Sequence, residues 1–142
     1  MDPQAIADKV RDVMFADDAA SRMLGLQIAE IAPGRAVLTM AVRPDMLNGF
    51  AICHGGLIAT LADSAFAFAC NSRNALTVAS GFGIDILKSA RLNDVLTATA
   101  EETSLAGRTG LYDITVKNQN GELVAMFRGR SYRLAERKVF ES

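Results

Sequence analysis

The chain has 142 residues, enough for one domain with a sizeable core, and half of them are hydrophobic, which argues against disorder. Fifteen basic residues against 16 acidic ones give a net charge of −1 with no basic tract, so there is no electrostatic footprint for nucleic acid. No apolar run is long enough for a membrane span, because Ala51 to Cys70 is interrupted by His54, Gly55, Gly56 and Asp63. The N-terminus carries acids and lacks the apolar core of a secretory signal, so a cytoplasmic location is expected.

Taken in order, Asp2 and Pro3 open a helix with Ile6, Val10, Val13 and Met14 on one side and Asp8, Lys9, Arg11 and Asp12 on the other. It should end near Asp17 and Asp18, and a short turn over Ala19 to Leu24 should stop at Gly25. This N-terminal helical segment, 1–24, reads as a lid or brace. From Leu26 the hydrophobic period changes to two. Leu26 to Ala32 and Arg35 to Val42 form a hairpin about Pro33-Gly34, and Arg43 to Cys53 is an irregular connection.

The next element, over 55–73, dominates the chain. From Gly55 to Asn71 there is no Lys, Arg or Glu, and the Ala and Leu content over more than ten residues favours helix. Such a helix should be buried on nearly every side. Leu57, Ile58, Leu61, Ala62, Ala65, Phe68 and Ala69 share one broad face. Gly56, Ala59, Thr60, Asp63, Ala67 and Asn71 lie opposite, with Ser64 at the border. Small, weakly polar residues suit a subunit interface, and this one contains a single acid. An unpaired buried carboxylate is costly, so Asp63 is either paired structurally or used in chemistry.

After Asn74 the chain alternates nearly to its end. Strands are expected over Thr77 to Lys88, Val95 to Ser104, Thr109 to Asn118 and Glu122 to Leu134. Leu105-Ala106-Gly107-Arg108 and Asn118-Gln119-Asn120-Gly121 are the turns. Val78, Ser80, Phe82, Ile84 and Ile86 alternate along the first of these strands. The whole, 1–142, reads as one α+β domain: an antiparallel sheet wrapped around a long central helix. One helix covers only part of such a sheet, so a homodimer at least is expected.

Cys53 and Cys70 fit neither a disulfide framework nor a metal site and read as small apolar filler. Cys53 beside His54 suggests a nucleophile and base, but adjacent side chains diverge and no orienting third group is evident.

The element order is similar to the hotdog fold. Asn48, Gly49, His54, Gly55, Gly56 and Asp63 resemble the motif of hotdog acyl-CoA thioesterases of the phenylacetate-degradation (PaaI) type. The likeness holds in the spacing from Asn48 to His54 to Asp63, in Ala65-Phe66-Ala67 and Asn71, and along Ile84 to Leu134. It implies hydrolysis of phenylacetyl-CoA or hydroxyphenylacetyl-CoA, with Asp63 acting across the subunit interface as general base or direct nucleophile. It also implies that Asn48 and His54 orient the water or thioester, that Ser64 stands where the family often has threonine, and that the protein forms a homotetramer.

The residues support the same chemistry. Thioester hydrolysis needs a polarised carbonyl and an activated water or nucleophile. The first amides of the central helix are unpaired donors at the positive end of its dipole. Gly55, with no side chain, admits a carbonyl to that end, so its N–H is the expected oxyanion donor, with Gly56 beside it. Asp63 lies about 12 Å along the same helix from Gly55. Antiparallel packing of two such helices would bring Asp63 of one subunit to Gly55 of the other.

Ser80 is a candidate for lining the acyl pocket, and Lys88, Arg91 and Arg108 are candidates for the coenzyme A phosphates. No metal is expected, and no cofactor beyond the coenzyme A of the substrate. The alternatives are an acyl-CoA hydratase or dehydratase on the same scaffold, and a non-catalytic acyl-CoA binding module.

Overall fold

The computed structural model describes residues 1–141. Helix α1 spans Pro3–Asp17. It starts there because Asp2 accepts the Ala5 N–H at 2.7 Å and Pro3, at the first helical position, gives up an amide that needs no partner. Its buried Ala7 and Val10 lie on the expected face, and the helix packs against strand β1, Gln27–Ala32. Asp18 then caps the five-residue α2, Ala19–Met23, and Gly25 turns the chain out at φ +69°.

Strand β2, Arg35–Ala41, returns along β1 through Pro33-Gly34, with Gly34 at φ +74°. A short 3₁₀ turn, Pro44–Met46, leads to α3 over Gly55–Asn71. The four remaining strands are β3, Thr77–Ile86, β4, Val95–Ala106, β5, Thr109–Lys117, and β6, Leu123–Arg133. All pairings are antiparallel, in the order β1-β2-β4-β5-β6-β3, and α3 packs against one face of the sheet. The α+β arrangement is the expected one.

Several details differ from the sequence reading. Helix α3 stops at Asn71 rather than 73, because Asn71 turns back onto β3: its amide donates to the Ala67 and Thr77 carbonyls and its Oδ1 accepts the Thr77 N–H. Asn71 is therefore buried and structural, not part of the open face. Phe66, unassigned to either face, is buried against Tyr112 and Phe127, and Gly129 makes room for it, since a Cβ there would lie 2.8 Å from the ring. Leu57, expected inside, is only half-buried.

In β3 a bulge between Ala79 and Gly81 breaks the simple alternation. Val78 pairs with the exposed Tyr132, whereas Phe82 pairs with Gly129 on the helix side, so the two lie on opposite faces. The strand ends at Ile86 rather than Lys88. The β4–β5 turn shrinks to Gly107-Arg108, as β4 runs on past Ser104 to pair Ala106 with Thr109, where β5 starts as expected.

Two of the open surfaces bear on the site. Strand β3 is a sheet edge with most of its residues exposed, and the face of α3 bearing Ala59, Thr60, Asp63, Ser64 and Ala67 is half-exposed. The helix is thus buried on one side, not nearly all round.

Candidate active site

His54 sets up the start of α3. Its extended backbone (φ −60°, ψ 128°) makes it the N-cap residue, and its Nδ1 accepts the Gly56 N–H at 3.0 Å. The His54 carbonyl takes the Leu57 and Ile58 amides. Among the described residues no acceptor meets the Gly55 N–H, so the first turn presents one free donor at the positive end of the helix dipole. An imidazole accepting at Nδ1 carries its proton on Nε2, which gives the exposed His54 ring a second outward donor.

Asn48 shapes the approach. Its Oδ1 accepts the Phe50 N–H at 2.9 Å and the Ile52 N–H at 3.4 Å, and Ala51 adopts φ +60° in the resulting tight loop. The loop is closed by the Leu47–Cys53 bridge, and the Asn48 Nδ2 is left without a protein partner among the described residues. The Cys53 N–H donates to the Ala90 carbonyl and the His54 N–H to Met46, which fixes the helix entrance to the loop after β3.

Two turns down α3, half-buried Asp63 has no hydrogen-bond partner among the described residues. Burial pushes its carboxyl pKa up, and the Asp18 carboxylate raises it further. The side chain borders a cavity of about 390 Å³ whose wall is otherwise mostly apolar: Phe66, Ala67 and Cys70 from α3, Val78 and Ala79 from β3, and Met14 and Val139 from the two ends of the chain. A carboxylate with raised basicity next to an apolar cavity can take a proton from water or attack a carbonyl.

Ser64 faces the N-terminal segment. Its Oγ lies 3.0 Å from the buried Ser21 Oγ, which is also 2.6 Å from Asp18 Oδ2. Ser80 is the bulged residue of β3: its Oγ donates to the Arg130 carbonyl, and Val78 and Ala79 line the Asp63 cavity instead.

The basic candidates divide between the ends of the sheet. Lys88 and Arg91 flank Ala90 beside the helix entrance, with Lys88 held 3.1 Å from Glu122 and the Arg91 side chain without a carboxylate partner among the described residues. Arg108 sits at the other end, where its carbonyl accepts the Arg133 N–H and its guanidinium faces Glu136 at 3.8 Å. Within one chain it is not brought to Gly55. Arg128 pairs with Asp113 on the outer sheet face.

Neither cysteine is set up as a nucleophile. Burial pushes Cys70 up to about 12, and burial with the Asp94 charge raises Cys53, whose thiol points at the His54 carbonyl rather than its ring. Asp18 and Ser21 were not singled out in the sequence. They lie over 40 residues from Asp63 and Ser64, and only the fold brings them together.

A long helix on one face of a six-stranded antiparallel sheet is the hotdog arrangement, and comparison with known proteins gives the class of enzyme built on it. The family model described as Thioesterase superfamily matches residues 50–125, more than half of the chain. The acyl-coenzyme A thioesterase PaaI of Escherichia coli (strain K12) is 46% identical over 121 residues, 85% of this chain and 86% of that protein.

Among solved structures, the E. coli PaaI protein from the phenylacetic acid degradation operon superposes with a TM-score of 0.93 at 42% identity, over 96% of this chain and 99% of that one. A Streptococcus mutans protein solved bound to acetyl CoA superposes with a TM-score of 0.76 at 27% identity, over 80% and 91%. The chain belongs to the thioesterase superfamily and is a thioester hydrolase.

Proposed function

We propose that the chain hydrolyses acyl-CoA thioesters, with phenylacetyl-CoA and hydroxyphenylacetyl-CoA as the preferred class, to the free acid and coenzyme A. The observation that carries this is Asp63, a basic, unpartnered carboxylate bordering an apolar cavity on the open face of a helix whose Gly55 N–H is free. The likeness to PaaI supports the arylacetyl preference.

The two groups act together only between subunits, since the eight residues from Gly55 to Asp63 span about 12 Å of helix. A homodimer is supported by the exposed edge strand β3, able to pair with its own copy, and by the small-residue face of α3 beside it. A dimer of dimers is the assembly implied by the family likeness.

In each shared site the thioester oxygen accepts the Gly55 N–H of one subunit, with His54 Nε2–H and Asn48 Nδ2 orienting the thioester or the water. Asp63 of the other subunit takes a proton from water as the oxygen attacks the carbonyl carbon. The tetrahedral oxyanion then collapses, the C–S bond breaks, and the thiolate receives the proton. The reaction draws on no cofactor beyond the coenzyme A of the substrate. Lys88 and Arg91, on the loop that Cys53 ties to the helix entrance through Ala90, are the cations proposed to meet its phosphates.

The test is thiol release from a panel of aromatic and aliphatic acyl-CoA esters by the wild type and Asp63→Ala. Fast release from arylacetyl-CoA that disappears in the variant is expected. Full activity in Asp63→Ala would refute the acid's role.

A further inference from the structure

The cavity beside Asp63 is bordered by parts of the chain outside the family match at 50–125: Met14 from α1 and Val139 from the C-terminal tail, both half-buried. The tail is tied in place. The Leu76 N–H donates to the Arg137 carbonyl and the Leu134 N–H to the Leu76 carbonyl. Asn74 then grips the backbone of Phe140 from both sides, its Nδ2 donating to the Phe140 carbonyl and its Oδ1 accepting the Phe140 N–H, each at 2.9 Å. Finally, the Lys9 ammonium of α1 stands 4.6 Å from the Phe140 ring centroid. Both residues bonded to the tail at this point, Asn74 and Leu76, belong to the connection from α3 to β3, which also leads into the cavity wall.

We infer that this C-terminal strap, with Met14, is the gauge for acyl size: Val139 forms the end wall of the acyl compartment, and Asn74 is the positioning residue that holds it there. The inference rests on the proposed role of Asp63. A cavity of about 150 Å³ is enough for a benzene ring, and the open-sided cleft on one protomer, about 390 Å³, exceeds that before the partner subunit covers its mouth. The mostly apolar wall favours such a group over a charged one. The strap reaches the cavity by backbone clasps and one cation–π contact, so a modest shift of the tail changes the space without touching the groups that act on the carbonyl.

The experiment measures kcat/KM for acetyl-CoA, phenylacetyl-CoA and naphthylacetyl-CoA with the full-length wild type, Val139→Phe, Val139→Ala and Asn74→Gly, with thermal melting in parallel. A change of a few methylenes in an apolar pocket is worth about tenfold or more in discrimination. Val139→Phe should lower the phenylacetyl-to-acetyl ratio by about that factor, mainly through KM, and Val139→Ala should raise the naphthylacetyl-to-phenylacetyl ratio.

Asn74→Gly retains the left-handed backbone that Asn74 adopts at φ +66° while deleting the clasp. It should blunt the size preference although no cavity residue is altered. Ratios unchanged in all three folded variants, or all esters falling in parallel, would overturn the gauge. Asp63→Asn in the same assay separates the two claims: if it stays active the site itself is misassigned, and if it is dead while the ratios do not move only the gauge fails.

Discussion

His54 Nδ1 accepts the Gly56 N–H at 3.0 Å, so the second amide of α3 is satisfied and the first, that of Gly55, is not. One contact thereby caps the helix, fixes the histidine proton on Nε2 and leaves a single backbone donor facing outward. The observed cap and the proposed orienting of the substrate are separable. Replacing an N-cap by Ala costs about 1 kcal/mol, whereas Asn caps well. His54→Ala is expected to lose both stability and activity. His54→Asn should recover the denaturation midpoint without recovering kcat.

Gly55 can be tested by removing its N–H alone. It occupies the first helical position, where proline is tolerated, and His54 already has the extended ψ of 128° that a residue before proline adopts. The nearest obstacle to a Cβ is the terminal Cδ1 of Ile86 at 2.8 Å, at the far end of a flexible side chain. Gly55→Pro should therefore remain folded by circular dichroism while kcat falls about 10²- to 10³-fold, the usual loss on deleting an oxyanion donor.

The raised pKa of Asp63 has a signed consequence for stability. Its neutral form is the better tolerated in the fold, so the contribution is fully present at low pH and is lost as pH rises through the raised folded-state pKa. Asp63→Asn should melt above the wild type at neutral pH, with the gap closing on acidification, and turnover should fall at least about 10²-fold.

Asp18 is the second cause of that shift, after burial. Asp18→Asn removes the charge yet can still accept the Ser21 N–H that caps α2. The acid limb of kcat/KM should move to lower pH in this variant. An unmoved limb would mean that it reports another group.

Much of this was legible in the sequence for local reasons. Asp2-Pro3, Pro33-Gly34 and the uncharged run from Gly55 carry their own chain geometry, so both helix starts and the first hairpin fall where expected. The bulge at Ser80 was not legible, since alternation continues through it and only pairing with β6 reveals the slip. Asn71 looked like an interface residue because its partner, the Thr77 backbone, is placed by the fold. Of the site, the His54 cap and the free Gly55 N–H follow from adjacency, whereas the Asp18–Ser21–Ser64 cluster and the Val139 wall join segments remote in sequence.

In the proposed mechanism the meeting of Asp63 and Gly55 takes place only across subunits. It is tested by mixing two inactive proteins, Asp63→Asn and Gly55→Pro, refolding them together and measuring thiol release. A heterodimer would contain one fully mutated site and one intact site. Random pairing would therefore restore about a quarter of wild-type activity. No recovery in a mixture shown to contain heterodimers would contradict the shared site.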